Sequence, residues 1–204
     1  MLDFENKYWD KYPLIAGVDE VGRGCLAGEL VVACVILPKN YQNPKIKDSK
    51  KISEKNRELL YEQIIKDALY YSIEIRTLDQ INNSNPKAES KLGMKLAIEK
   101  LPIKPDLVIT DFEKVDTDIE QINLVKGDNI SINVAAASIL AKVTRDRMLI
   151  QYAKEYSQYG FEQNKGYGTK IHLEALSKYG ITPIHRIKYK PVAQIINNLS
   201  TKRK

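Results

Sequence analysis

The sequence predicts an α/β fold, and three observations carry that prediction. Short apolar, β-branched runs (Ile15–Val18, Leu30–Leu37, Leu107–Thr110, Ile122–Val125) have strand length, and segments of helical period separate them. Acids close several of these runs: Asp19-Glu20 after the first, Asp111 after the third, Asp128 in the turn after the fourth. With 204 residues and 43% hydrophobic content, the chain can bury one substantial core.

Taken in order, residues 14–37 read as strand, turn, strand. Ile15–Val18 is too short and too β-branched for a helix, and Leu30–Leu37 has the continuous apolarity of a buried strand. Neighbouring strand residues face opposite ways, so Asp19 and Glu20 serve one site only if the backbone turns at them, and Gly22 and Gly24 favour a turn. The alternative is an Asp-Glu surface turn ahead of a flexible loop. Pro38, Asn40, Asn43 and Pro44 then mark a loop rich in lysine (Lys45, Lys47, Lys50, Lys51), either a solvated face or a binding one. Ser53 is placed to cap a helix carrying Leu60, Ile64 and Ala68 on one face, and Tyr71–Arg76 alternates as a strand.

Asn82–Pro86 is turn chemistry, followed by a helix over Lys87–Lys100 that Pro102 and Pro105 end. Asn133–Tyr156 is the strongest helix, apolar nearly all round in its first half and amphipathic in its second. Lys142, Arg145 and Arg147 on it are read as facing solvent, with reach to a phosphate the alternative. Gly166-Tyr167-Gly168-Thr169 turns into a helix with His172, Leu173 and Leu176, and Lys190-Pro191-Val192 opens a last short helix before a frayed STKRK end. One domain over 1–204 is expected, with a helical C-terminal part from about 169. His172 and His185 are too few and too far apart for a metal cage, so each is assigned packing or hydrogen bonding.

Lys and Arg outnumber Asp and Glu by 32 to 26, a modest basic balance compatible with nucleic acid. Cys25 and Cys34 are too few for a disulfide framework and lack the partners of a zinc site, which suits a reducing cytoplasmic setting. The N-terminus carries acids and aromatics where a signal peptide needs a basic start and an apolar run. No segment approaches the roughly 18–20 apolar residues that span a bilayer, so no membrane partner is expected.

Asp19, Glu20, Asp111 and Asp128 at strand ends of one sheet would gather four carboxylates at one edge, where α/β sheets commonly bind ligands. Oxygen donors of this kind select hard cations, Mg²⁺ or Mn²⁺. On a basic protein they suggest two-metal phosphoryl chemistry, with ions about 3.5–4 Å apart. Residue reasoning alone ends there.

Along nearly its whole length the chain resembles type 2 ribonuclease H, ribonuclease HII. The matching motifs are GVDEVGRG (17–24), DSKK (48–51), ITD (109–111), KGD (126–128), AAASILAKVTRD (135–146), GYGT (166–169), and His185-Arg186 followed by Pro191-Val192. Ribonuclease HIII is a poorer match, since it usually reads Gly-Thr-Gly at the turn where this chain has Arg23. The resemblance implies a ribonuclease H-like mixed sheet flanked by helices, with a helical C-terminal region. It implies cleavage of RNA in RNA/DNA hybrids and incision 5′ of single ribonucleotides in duplex DNA, leaving 3′-hydroxyl and 5′-phosphate ends. By motif it makes Asp19, Glu20, Asp111 and Asp128 the metal-binding catalytic acids. Gly22, Arg23, Gly24 and Tyr167 become the readers of the ribose 2′-hydroxyl, and Lys50 of the DSKK motif a further substrate-binding residue.

Cys25 and Glu29 stand where the family usually has proline, so the intervening loop is expected to be less rigid, and Phe112 stands where glycine is frequent. Glu29 and Lys188, the latter in place of a common serine, are expected to alter substrate grip. The end AQIINNLSTKRK lacks the paired aromatics of a sliding-clamp motif, and a monomer acting on nucleic acid is expected. Two rivals remain: a catalytically silent nucleic-acid binder, and a ribonuclease H-like DNA nuclease indifferent to the 2′-hydroxyl.

Overall fold

The structure, a computed structural model, describes residues 2–201. In chain order the elements are α1 (Leu2–Glu5), β1 (Ile15–Val21), β2 (Leu30–Ile36), α2 (Glu54–Asp67), β3 (Tyr70–Arg76), α3 (Leu78–Asn83), α4 (Pro86–Glu99), β4 (Leu107–Asp111), β5 (Glu120–Leu124), α5 (Ile132–Glu155), α6 (Phe161–Asn164), α7 (Lys170–Tyr179) and α8 (Lys190–Thr201). Of the tail expected to fray, Ser200 and Thr201 close α8, and 202–204 lie outside the described residues. The chain forms two compact units. One comprises Met1–Val21, Val31–Ile75 and Ser90–Val143; the other comprises Gly22–Leu30, Arg76–Glu89 and Thr144–Lys204.

The first unit holds a five-stranded sheet in the order β3-β2-β1-β4-β5. β1 pairs antiparallel with β2 and parallel with β4, which pairs parallel with β5, so the sheet is mixed as the resemblance implied. Every residue of β2 is buried, the pattern of a strand covered on both faces. α5 packs on β1 at Gly17, where a Cβ would lie 2.1 Å from the backbone carbon of Asn133, so only glycine permits that approach. The Asn133 side chain accepts a 2.8 Å bond from the Leu37 N–H, tying the start of α5 to the end of β2. Trp9, Tyr12, Ile15, Leu107, Ile109 and Val134 form a core cluster.

The second unit is largely helical. Leu26, Ala27, Leu149, Ala153, Tyr159, Phe161, Ala175, Leu176, Ile184 and Val192 make its core. Thr169 caps α7, and Ser53 caps α2 of the first unit, both as side-chain acceptors for an N–H three residues on.

Three local readings change. β1 does not stop at Val18 but continues through Val21, because Asp19, Glu20 and Val21 find ladder partners in Ala33, Val32 and Val31. β5 covers Glu120–Leu124, not 122–125, set by its register with β4, and Val125 is exposed. Asn82 and Asn83 are not turn residues. They end α3, which Thr77 and Gln80 start with a capping box, and the turn falls at Ser84 and Asn85.

Candidate active site

Strand register explains how distant acids meet. Val18 pairs with Thr110, so Asp19 and Asp111 take the next step of the same parallel ladder, and Asp111 is level with Leu124 at the end of β5. Four residues beyond Leu124, Asp128 sits in the 3₁₀ turn Gly127–Asn129 that leads into α5. One Asp111 carboxylate oxygen accepts a 2.8 Å bond from the Gly127 N–H and fastens that turn to β4.

Asp19 is buried, and its carboxyl is held well above the usual carboxylate range, first by burial, then by the charges of Glu20 and Asp111. A hydrogen bond from Ser138 and one from the Glu20 N–H (2.8 Å) work the other way. Asp128, also buried, is raised by desolvation and then by Asp48 and Asp111, against a bond from Asn129 (2.8 Å) and the nearby charge of Lys50. Asp111 thus acts on both neighbours. Glu20 lies inside a regular strand, not at the turn expected of it, yet its charge reaches Asp19.

Hard oxygen donors crowded by like charge are the right chemistry for a divalent cation. Among the described residues, however, no group of three His, Cys, Asp or Glu side chains is drawn together tightly enough to hold one ion. The acids lie within range of each other's charge without converging on a point.

Asp48 is a further carboxylate that sequence reasoning did not place here. It is buried, and accepts a 3.0 Å bond from the Lys50 N–H as the cap of the turn Ser49–Lys51. That turn leaves the Lys50 side chain exposed, while Ser49 meets Ser138 at 3.0 Å. An Asp followed by a polar turn looks like an ordinary cap in sequence, so only its burial beside Asp128 distinguishes it.

Gly22, Arg23, Gly24 and Tyr167 all belong to the second unit. Gly22 has φ +103°, and a Cβ there would stand 2.2 Å from Nε of Arg145, so glycine is required on both grounds. Arg23 is half-buried, Gly24 is exposed, and Tyr167 is 41% exposed, leaving its ring accessible.

Arg145 corrects the solvent-facing assignment. It is fully buried and donates to the carbonyls of Glu29 (2.7 Å), Lys165 (2.7 Å) and Ala27 (2.8 Å). Arg186, also fully buried, donates to the carbonyls of Gly22 (2.7 Å), Arg23 (3.1 Å), Gly28 (2.7 and 2.9 Å) and Glu29 (3.0 Å). The Tyr189 hydroxyl also donates to the Arg23 carbonyl. The loop missing its usual prolines is therefore not loose, since two guanidinium groups hold its carbonyls. Glu29 is buried and accepts from the Tyr152 hydroxyl at 2.6 Å, which turns it inward and not toward a substrate. Lys188 Nζ donates to the Ser84 carbonyl at 3.4 Å.

Comparison with known proteins agrees with this architecture. The family model described as Ribonuclease HII matches residues 16–192. The curated Ribonuclease HII of Ligilactobacillus salivarius is 50% identical over 196 residues, covering 96% of this chain and 77% of that protein. Among solved structures, the ribonuclease H2 of Pyrococcus horikoshii aligns with a TM-score of 0.79 at 27% identity, covering 92% of this chain and 99% of that one. The RNase HII of Archaeoglobus fulgidus, solved as a complex with PCNA, aligns at 0.75 and 26% identity over 89% and 96%. On the extent of these matches, together with the mixed sheet and its acid-bearing edge, the chain belongs to the ribonuclease HII family and is a metal-dependent ribonuclease H, a hydrolase of phosphodiester bonds.

Proposed function

We propose that the protein cleaves the RNA strand of RNA/DNA hybrids and incises duplex DNA on the 5′ side of single embedded ribonucleotides, leaving 3′-hydroxyl and 5′-phosphate ends. The observation that carries this reading is the meeting of Asp19, Asp111 and Asp128 at one edge of the sheet, set by strand register and the Gly127 N–H bond, where the charge of Asp111 reaches both of the others. Asp19, Glu20, Asp111 and Asp128 would hold Mg²⁺ or Mn²⁺, which when bound supplies a polarised water and charge neutralisation at the scissile phosphate. Ser138 and the Glu20 N–H orient the Asp19 carboxylate, and the Gly127 N–H orients that of Asp111. Lys50, exposed beside this edge, supplies a cation for a backbone phosphate.

In the second unit, the backbone at Gly22-Arg23-Gly24 and the partly exposed Tyr167, whose hydroxyl meets the Cys25 thiol, select ribose through its 2′-hydroxyl, the group that distinguishes RNA from DNA at a single position. The proposed partners are nucleic acids, bound by a cytoplasmic monomer acting as one catalytic domain. The free buried cysteines Cys25 and Cys34 suit a reducing compartment, and the end after Val192 carries no paired aromatics for a sliding clamp.

The test is incision of end-labelled duplex DNA carrying one ribonucleotide, with Mg²⁺, Mn²⁺ or chelator, beside an all-DNA duplex. We expect metal-dependent incision of the first alone; equal cutting of both would refute the 2′-hydroxyl readout. Asp111→Asn should lower cleavage by about a thousandfold or more, on the order of 4 kcal/mol, while substrate is still bound. A variant that still cuts would remove Asp111 from the site.

A further inference from the structure

His172 and His185 are the only histidines in the chain, and both are buried in the second unit. Their Nε2 atoms lie 3.0 Å apart. At one end, Nδ1 of His185 faces the Thr182 N–H at 2.9 Å. At the other, Nδ1 of His172 faces the Tyr167 carbonyl at 2.9 Å.

The Thr182 hydroxyl also meets Nδ1 of His185, at 2.8 Å, and can turn to donate or accept, but the backbone group at each end has a fixed role, so the protons in between can be assigned by logic. The Thr182 N–H can only donate, so Nδ1 of His185 is bare and its proton is on Nε2. That proton points at Nε2 of His172, which must then accept, leaving the His172 proton on Nδ1. The Tyr167 carbonyl can only accept, so the chain closes without conflict. A cationic His172 would set two N–H groups against each other at the Nε2 contact, and a cationic His185 would set its Nδ1–H against the Thr182 N–H. Burial in the Tyr159–Phe161 aromatic cluster keeps both rings neutral, and pushes His185 down to about 4.

The same Tyr167 carbonyl accepts a 2.8 Å bond from the Thr169 N–H, so its lone pairs are fully used. The residue after His185 is Arg186, whose guanidinium holds the Gly22 and Arg23 carbonyls. One dipeptide therefore anchors both parts of the proposed sugar reader.

We infer that the neutral pair His172–His185 is a one-way hydrogen-bond relay from Thr182 to the Tyr167 carbonyl, and that the two histidines are positioning residues for Tyr167. The inference rests on the reading of Tyr167 as a sugar-sensing residue, so its test separates the two. Nitrogen NMR of the histidine-labelled intact chain has only two rings, four ring nitrogens, to assign. We expect a proton on Nδ1 of His172 and on Nε2 of His185 at neutral pH; any other pattern overturns the relay whatever Tyr167 does.

Activity then tests the positioning. His172→Phe keeps a ring but has no donor, and should slow incision at a single ribonucleotide about tenfold. His172→Asn keeps a donor near the Nδ1 position and should recover most of that loss. In a Tyr167→Ala background, His172→Phe should cost nothing more, and an equal further loss overturns the positioning role. His185→Gln, which retains a donor at the Nε2 position and lacks the Nδ1 acceptor, gives the same cycle independently should His172→Phe fail to fold. Full incision by Tyr167→Ala would overturn the sugar-sensing reading and with it the positioning role, and would leave the tautomers as they are.

Discussion

Around Asp19 the first unit packs like charges within range of one another, whereas around Gly22 the second unit packs two guanidinium groups against backbone carbonyls. The acids repel, and Asp19 and Asp128 are raised; a cation would relieve them. The loop carbonyls are already satisfied, so its shape is complete before any substrate arrives. Two regions assigned to one reaction are thus organised by opposite means, one left dependent on a ligand and the other self-sufficient.

The contrast can be broken most forcefully from the guanidinium side. Replacing Arg186 with Met removes both guanidinium bonds to the Gly28 carbonyl and one each to the carbonyls of Gly22 and Glu29, and we predict a loss of about 3–5 kcal/mol in denaturant unfolding. Asp111→Asn, which removes repulsion, should by contrast hold or raise stability without metal. If both variants lose stability alike, the two regions are not held differently.

Acid separates them next. Both histidines are lowered in the fold, His185 to about 4, so from about pH 6.5 down to about 4 the unfolded chain takes up at His185 a proton that the fold refuses, and stability falls by on the order of 3 kcal/mol. Asp19 and Asp128 are raised, so their contribution has the opposite sign. Stability is gained as pH falls through their folded values and is fully present below the unfolded value of 3.8. Stability measured against pH in wild type and His185→Gln resolves the two. A descent of the same depth in His185→Gln would refute the share assigned to His185.

Metal addition sharpens the acid side alone. At a hundred times its dissociation constant, Mg²⁺ or Mn²⁺ should stabilise the fold by about 2.7 kcal/mol, and chelator should reverse it. The shift should vanish in Asp111→Asn and persist in Tyr167→Ala. An unchanged melting temperature at millimolar metal would count against an assembled site.

The smallest expected effect lies at Phe112. Its φ of +68° falls in the left-handed region that favours glycine, which accounts for glycine being frequent in the family at this place. Phe112→Gly relieves that strain but frees the unfolded chain, so we predict a net gain below about 1 kcal/mol, read from the unfolding midpoint. A loss would show that the exposed Phe112 ring holds the edge beside Asp111 in place.

Much of this was legible locally. The strand β2 declared itself by unbroken apolarity, α5 by its period and small residues, and Ser53 and Thr169 by their capping chemistry. Asp111 could be placed at a strand end because Leu107–Thr110 is a strand by its own composition. The extension of β1 through Val21 was hidden because Asp and Glu disfavour strands, and the ladder with β2 overrides that preference. Lys142, Arg145 and Arg147 look alike in sequence, yet only Arg145 is fully enclosed.

The sequence by itself determined the α/β class, the mixture of strands and helices, the place of Asp111 at a strand end, and the family resemblance. These follow from periodicity and from contiguous motifs. Only the tertiary structure decided that Asp48 joins the acid edge, that Arg145 and Arg186 bind the Gly22–Glu29 loop from within, and that His172 and His185 form a neutral relay to Tyr167. The physical reason is common to all of these. A polar side chain's role depends on whether it is buried and on which groups meet it there, and those come from segments more than a hundred residues away for the bonds of Arg145 to Ala27 and of Arg186 to Gly28, and from a local fold-back of the chain for the histidines.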